Sequence, residues 1–200
     1  MLKKFLYLCT FCLLSACTAS TPQNINNICD IFNEKDDWYS DTKESHEKWG
    51  LPIHITMAIM HQESRFVADA QPPRPWLLGI IPWFRDSSAY GYAQAQDNTW
   101  DDYLINNDHW GADRDEFSSA SDFIGWYCSI SHSRLGISLW DSQKLYLAYH
   151  EGHGGYSRKT YSKKRWLINT AKKVANKSRQ FQSQLSGCKD ELESSGWFFW

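Results

Sequence analysis

Long apolar runs are scarce in this 200-residue chain, and the leading one, residues 5–14, is too short to span a bilayer as a helix. No alternating strand pattern competes with helical periodicity, and there is no internal repeat and no phosphate-cradling glycine motif. Neither sign of charge dominates, and a formal net charge of −2 excludes a generally basic nucleic-acid binder. With 42% hydrophobic and 22% charged residues, the chain is not collagen-like, coiled-coil or intrinsically disordered, and its length predicts one compact domain. Aromatic rings, by contrast, are plentiful. A core absorbs many of the ten Tyr and ten Phe, but eleven Trp point to some rings lining a surface cleft.

The N-terminus reads as an address. Lys3 and Lys4 precede the apolar run, a charged region followed by a hydrophobic region of secretory length. Leu14-Ser15-Ala16-Cys17 then resembles the bacterial lipobox, which implies cleavage before Cys17 and acylation of its thiol. Several acyl chains on one residue make a stable anchor, and Thr18, which is not Asp, favours the outer membrane by resemblance to Gram-negative lipoproteins. The expected organisation is a signal peptide at 1–16, a polar tether at 17–28, the folded domain at 29–189 and a tail at 190–200. Cys9 and Cys12 leave with the signal, so Cys29, Cys128 and Cys188 remain for an oxidising compartment, one disulfide and one free thiol. A Cys29–Cys188 bridge would staple the two ends of the domain, and Cys128 sits in an apolar helical stretch; the sequence alone leaves the pairing open.

Helices are expected over residues 30–49, 52–66, 97–107, 119–136, 141–151 and 163–185, a mainly α fold with room for a little β structure. In the last of these, Leu167, Ala171, Val174, Ser178, Phe181 and Leu185 form one buried stripe. Ten Lys and Arg with no acid between residues 157 and 189 occupy its other faces and read as a solvated surface. Pro72, Pro73, Pro75 and Pro82 punctuate the long loop between residues 70 and 90, which either serves function or covers the core.

Glu63 stands out chemically. Counting back three, four and eight residues gives Met60, Ile59 and Ile55, so Glu63 projects from an apolar helix face near the C-terminal end. Lost solvation and the negative end of the helix dipole both disfavour its charge, which suits a general acid. Pairing with an arginine such as Arg65 is the plain alternative, and spacing alone does not separate the two.

Two further segments do. Ser87 to Gln94 places small residues and Gly91 before a helix, and Ala148-Tyr149-His150-Glu151-Gly152 ends another in a glycine-rich turn. Glu63-Ser64, Gly91-Tyr92-Ala93-Gln94 and Ala148 to Gly152 resemble, in order and spacing, the E-S, G-L-M-Q and A-Y-N-A-G motifs of soluble lytic transglycosylase domains. The resemblance spans residues 51–156 and is nearest to a lipoprotein branch with the same cysteine near each end. It implies a lysozyme-like single domain that cleaves peptidoglycan between N-acetylmuramic acid and N-acetylglucosamine. By the same resemblance Glu63 is the acid and base, supported by Ser64. Gly91, Tyr92, Ala93 and Gln94 border the sugar, and Tyr149 points its hydroxyl into the cleft. Tyr92-Ala93 in place of Leu-Met and His150-Glu151 in place of Asn-Ala depart from the pattern and bear on cleft geometry.

One carboxylate suffices for such an enzyme, because the muramic acid C6 hydroxyl attacks intramolecularly at high effective molarity and no water is activated. Glu151 could instead orient water and make the enzyme a hydrolytic muramidase; the supporting role is the favoured reading. A glycan-binding lipoprotein without activity is the third reading. His150-Glu151-Gly152-His153 falls one residue short of a zinc-binding H-E-x-x-H, so no metal or other cofactor is expected. Cys128 has no adjacent base to activate it as a nucleophile. The expected partners are peptidoglycan strands and, through the lipid anchor, a membrane. No nucleic acid is expected, and the expected location is the periplasmic side of the outer membrane. Ring stacking on sugars is expected of Trp76, Trp83, Phe84, Tyr90, Tyr92, Tyr149 and Tyr156.

Overall fold

A computed structural model describes residues 20–77, 81, 82, 84, 85 and 87–195. Cys17, Trp83 and the terminal aromatic residues 197–200 lie outside these. The fold is mainly α, the class expected of a lysozyme-like domain. Its helices are α1 (Ile28–Glu34), α2 (Trp38–Trp49), α3 (Ile53–Glu63), α4 (Asp97–Asn107), α5 (Phe117–Leu135), α6 (Ser142–Ser157) and α7 (Arg165–Ser195). Two residue pairs of the proline-rich loop, β1 (Trp76–Leu77) and β2 (Ile81–Pro82), pair antiparallel.

Helix α3 is the axis of the domain. Pro52 precedes it with φ −59°, pre-set for a helix start, and every residue from Ile53 to His61 is buried. A helix buried on all sides can only be a central one, and α2, α5 and α7 pack around it. Helices α5 and α6 pack on each other, and α6 also lies against α7. Helix α7 buries Leu167, Ala171, Val174, Ser178, Phe181 and Leu185, the stripe that its spacing predicts.

Three boundaries differ from expectation, each for a packing reason. The helix expected over 30–49 breaks between α1 and α2. Ile28, Ile31 and Phe32 must face α7, whereas Trp38 stacks on Phe117 of α5 at 3.8 Å between ring centroids. Helix α7 continues through residues 190–195 of the expected tail, with Leu192 buried and the Tyr39 hydroxyl donating to Glu193 at 3.3 Å. From Ser20 onward the expected tether is held down: Gln23 N–H donates to Glu34, and Asn26 accepts from Lys177, Gln180 and Gln184. One disulfide joins Cys29 to Cys188, 159 residues apart in sequence. Closing so long a loop in the unfolded chain removes entropy worth about 5 kcal/mol of stability. Cys128 is free and buried, and desolvation pushes its thiol well above the ordinary range.

Candidate active site

Helix α3 ends at Glu63, and the chain then turns sharply. Ser64 caps the helix, its hydroxyl donating to the Met60 carbonyl at 3.3 Å and accepting from Phe66 N–H at 3.2 Å. Arg65 and Phe66 both adopt positive φ, 51° and 62°, a conformation that costs a bulky residue energy. Full burial of the Phe66 ring against Trp38 and His61 offsets that cost. Ser64 therefore supports the turn that presents Glu63; its recorded hydrogen bonds all go to backbone, none to the carboxyl.

The turn directs the chain toward the second motif. The Gln94 amide donates to the Ala70 carbonyl at 2.7 Å and to Gly91 O at 2.9 Å, and Gly91 N–H also donates to Ala70 O at 3.0 Å. Only glycine fits at residue 91, where φ is 78° and a Cβ would stand 2.0 Å from the Arg114 carbonyl oxygen. Ala93 is buried, and its carbonyl accepts the Tyr149 hydroxyl at 2.7 Å, tying the third motif to the second. Tyr92 departs from the expected sugar contact. At 1% exposure it packs edge-on against Trp38 and Phe117 in the core, where no pyranose can reach its ring.

Glu63 lies where these ties converge. The residue is partly exposed, yet its Oε1 is sealed from solvent without a hydrogen-bond partner, and it forms no ion pair among the described residues. Desolvation pushes its pKa from 4.5 up to about 7, opposed by the Tyr146 hydroxyl, which favours the charged form. Arg65 is exposed and does not pair with it, so the structural alternative of an arginine partner is not what holds Glu63. Tyr146 and Tyr149 stand one helical turn apart on α6, and burial followed by the nearby Glu63 charge holds both phenols protonated.

Tyr146 is the residue that motif reading missed. Its i, i+3 relation to Tyr149 was the available signal, but Leu145 and Leu147 beside it make the whole segment read as core. Indeed Tyr146 is 3% exposed, with only its hydroxyl doing polar work.

Glu151 is placed very differently. Helix α6 kinks at Gly152, with φ 74° and ψ 157°, and there the Glu151 side chain, 3% exposed, accepts from Lys164 Nζ at 2.7 Å and from the Thr160 hydroxyl. His150 Nδ1 stands 3.4 Å away. Desolvation pushes the Glu151 carboxyl up, but the hydrogen bonds of Lys164 and Thr160, the Lys164 charge and His150 together outweigh it and hold the pKa below its usual value. Lys164 and Thr160 lie in the turn before α7, and nothing in the motif announced them.

A cleft of about 230 Å3 opens between the second and third motifs. Gln94, Gln96 and Thr99 form one wall; Tyr127, Tyr149 and Glu151 form the other. Tyr149 reaches from this wall to Ala93, and its phenol feels the Glu63 charge, so it links the cleft to the buried carboxyl. Of the other rings expected to stack on sugar, Phe84, Tyr90 and Tyr156 lie elsewhere. Tyr90 donates to Asp115 under the Arg114 guanidinium, Phe84 and Tyr90 line a separate cavity, and Tyr156 stacks on Tyr161. No group of His, Cys, Asp and Glu among the described residues could hold a metal ion.

Compared with known proteins, residues 5–188 match the family model described as the transglycosylase SLT domain. No curated protein and no solved structure matches the chain.

Proposed function

Because the chain belongs to the transglycosylase SLT-domain family, whose activity is directed at peptidoglycan, we propose that it is a lytic transglycosylase using Glu63 as its single acid and base. The observation that carries this reading is a carboxyl poised near pH 7 by burial, with no counter-ion among the described residues, beside Tyr146 and Tyr149 of α6.

In this reading protonated Glu63 donates to the oxygen bridging N-acetylmuramic acid and N-acetylglucosamine. The glycosidic C–O bond breaks, and the 2-acetamido oxygen of the muramic residue stabilises the electron-poor anomeric carbon. Glu63, now ionised, takes the proton from the C6 hydroxyl as that oxygen attacks the anomeric carbon, closing a 1,6-anhydro ring and restoring the acid. The nucleophile is tethered, so activated water is unnecessary. Tyr146 favours the ionised state of Glu63, which moderates the pKa and readies the carboxylate for the second proton transfer. Tyr149 and Ala93 brace the cleft wall. Glu151, already satisfied by Lys164 and Thr160, supports the kink and has no free role as a base.

The same reading places the protein on the periplasmic face of the outer membrane, acylated at Cys17 after loss of residues 1–16; the lipobox resemblance supports this, and metabolic labelling with a fatty acid, abolished by Cys17→Ala, tests it. The catalytic proposal is tested by digesting purified sacculi with wild type and Glu63→Gln and weighing the released glycan ends. Anhydro ends from wild type alone support it. Ends heavier by one water from wild type indicate a muramidase, and no release by wild type leaves a glycan-binding protein.

A further inference from the structure

The loop between α3 and α4 encloses a second cavity, about 510 Å3, that the chemistry at Glu63 leaves unused. Among the described residues that line it, Arg74, Arg85 and Arg114 face one carboxylate, Asp97. Arg114 and Asp97 satisfy each other at 2.8 Å, and the same Arg114 nitrogen binds the Ser88 and Ala95 carbonyls while the guanidinium covers the Tyr90 ring. That pair is structural and neutral. Arg85 spends only its Nε, on the Pro72 carbonyl at 3.0 Å, and neither Arg85 nor Arg74 forms an ion pair among the described residues. Among the described residues these two guanidinium groups therefore have no carboxylate partner.

The neutral groups around them have matching polarity. The Ser87 hydroxyl accepts from Ala89 N–H and the Ser88 hydroxyl from Asp97 N–H, which leaves both O–H protons free to donate. Gln71 adds an amide. Two planar forks lining one cavity with hydroxyl donors suit carboxylates, which arginine binds in two parallel hydrogen bonds.

Position narrows the ligand. The cavity and the glycan cleft share one wall, the turn closed by the Tyr90–Ala95 bridge: Tyr90 faces the cavity, Ala95 faces the cleft, and Arg114 clamps Ala95 from behind. A muramic residue in the cleft carries, on its lactyl group, a short peptide whose side chains and terminus bear free carboxylates. We propose that the arginine-lined cavity is a subsite for this acidic stem peptide, so that Arg74 and Arg85 select peptide-bearing strands. The proposal rests on the reading of the chain as a peptidoglycan-cleaving enzyme.

The test is a titration of the full-length chain in detergent, carrying Glu63→Gln so that nothing is cleaved, with a muramyl tetrapeptide. Arg74→Ala with Arg85→Ala is expected to weaken binding at least tenfold, the two-lysine version is expected to recover part of it, and a peptide with its carboxylates amidated is expected to bind the parent as weakly as the acid peptide binds the double-alanine variant. Equal binding by parent and double-alanine variant, or by acid and amidated peptide, overturns the proposal, as does no binding to the parent. With Glu63 restored, the double-alanine variant is expected to lower kcat/KM on peptide-bearing strands about tenfold relative to peptide-free ones. If the wild type cleaves neither kind of strand, the enzymatic reading fails, while the titration still decides the cavity.

Discussion

Two glutamates near the same cleft live in opposite environments. Glu63 ends a central helix with a sealed, unpartnered oxygen and a pKa near 7; Glu151, at the kink of α6, is equally hidden but ionised, held by Lys164 and Thr160. Burial is common to both, so burial alone does not make an acid catalyst. What separates them is the supply of donors to the charged form: a cation and a hydroxyl at Glu151, one tyrosine at Glu63.

The contrast breaks most severely at Glu63 itself. Glu63→Gln is expected to cut the release of anhydro ends by 10²–10⁴, roughly the span of general acid catalysis, measured by mass spectrometry of sacculus digests. The same substitution should stabilise the fold in alkali. A folded-state pKa raised from 4.5 to about 7 means that wild type loses stability as pH rises through that interval. The variant is therefore expected to melt higher at pH 8, by up to about 3 kcal/mol, and to match wild type below pH 4.5. An unchanged difference across that range would show that Glu63 is not desolvated in solution.

The pH–rate profile comes next in size. Activity is expected to fall above about pH 7 as Glu63 loses its proton, tenfold per unit where protonation limits kcat/KM.

The motifs were legible because each has a local physical cause. Glu63 follows an apolar helical spacing, Gly91 is demanded by a left-handed turn against Arg114, and Gly152 allows a kink. Tyr92 was misread and Tyr146 passed over because a ring in a motif and a ring in a core look alike in sequence. Which way each side chain points depends on Trp38, Phe117 and α6, brought together only by folding.

A third substitution tests the Glu151 side of the contrast. Glu151→Gln is expected to cost about 1 kcal/mol in thermal unfolding, the net worth of a hydrogen bond, and to change the rate less than tenfold. A loss as deep as that of Glu63→Gln, with hydrated glycan ends from wild type, would make Glu151 the base of a muramidase. The smallest effect is assigned to Tyr146→Phe. Without its donor the Glu63 pKa rises further, so the alkaline limb of the profile moves up while the maximal rate falls only a few-fold.

The sequence by itself determined the helical class, the apolar stripe of α7, the turn glycines and the carboxylate at the end of α3, because these follow from periodicity and backbone sterics within a few residues. Tertiary structure alone decided that α1 breaks from α2, that Lys164 reaches Glu151 and that Tyr146 meets Glu63. It also decided that two arginines of the proline-rich loop line a cavity beside the cleft with no ion-pair partner among the described residues. Each of these depends on which charge or hydroxyl a distant segment brings within a few ångströms, and local spacing carries no record of that.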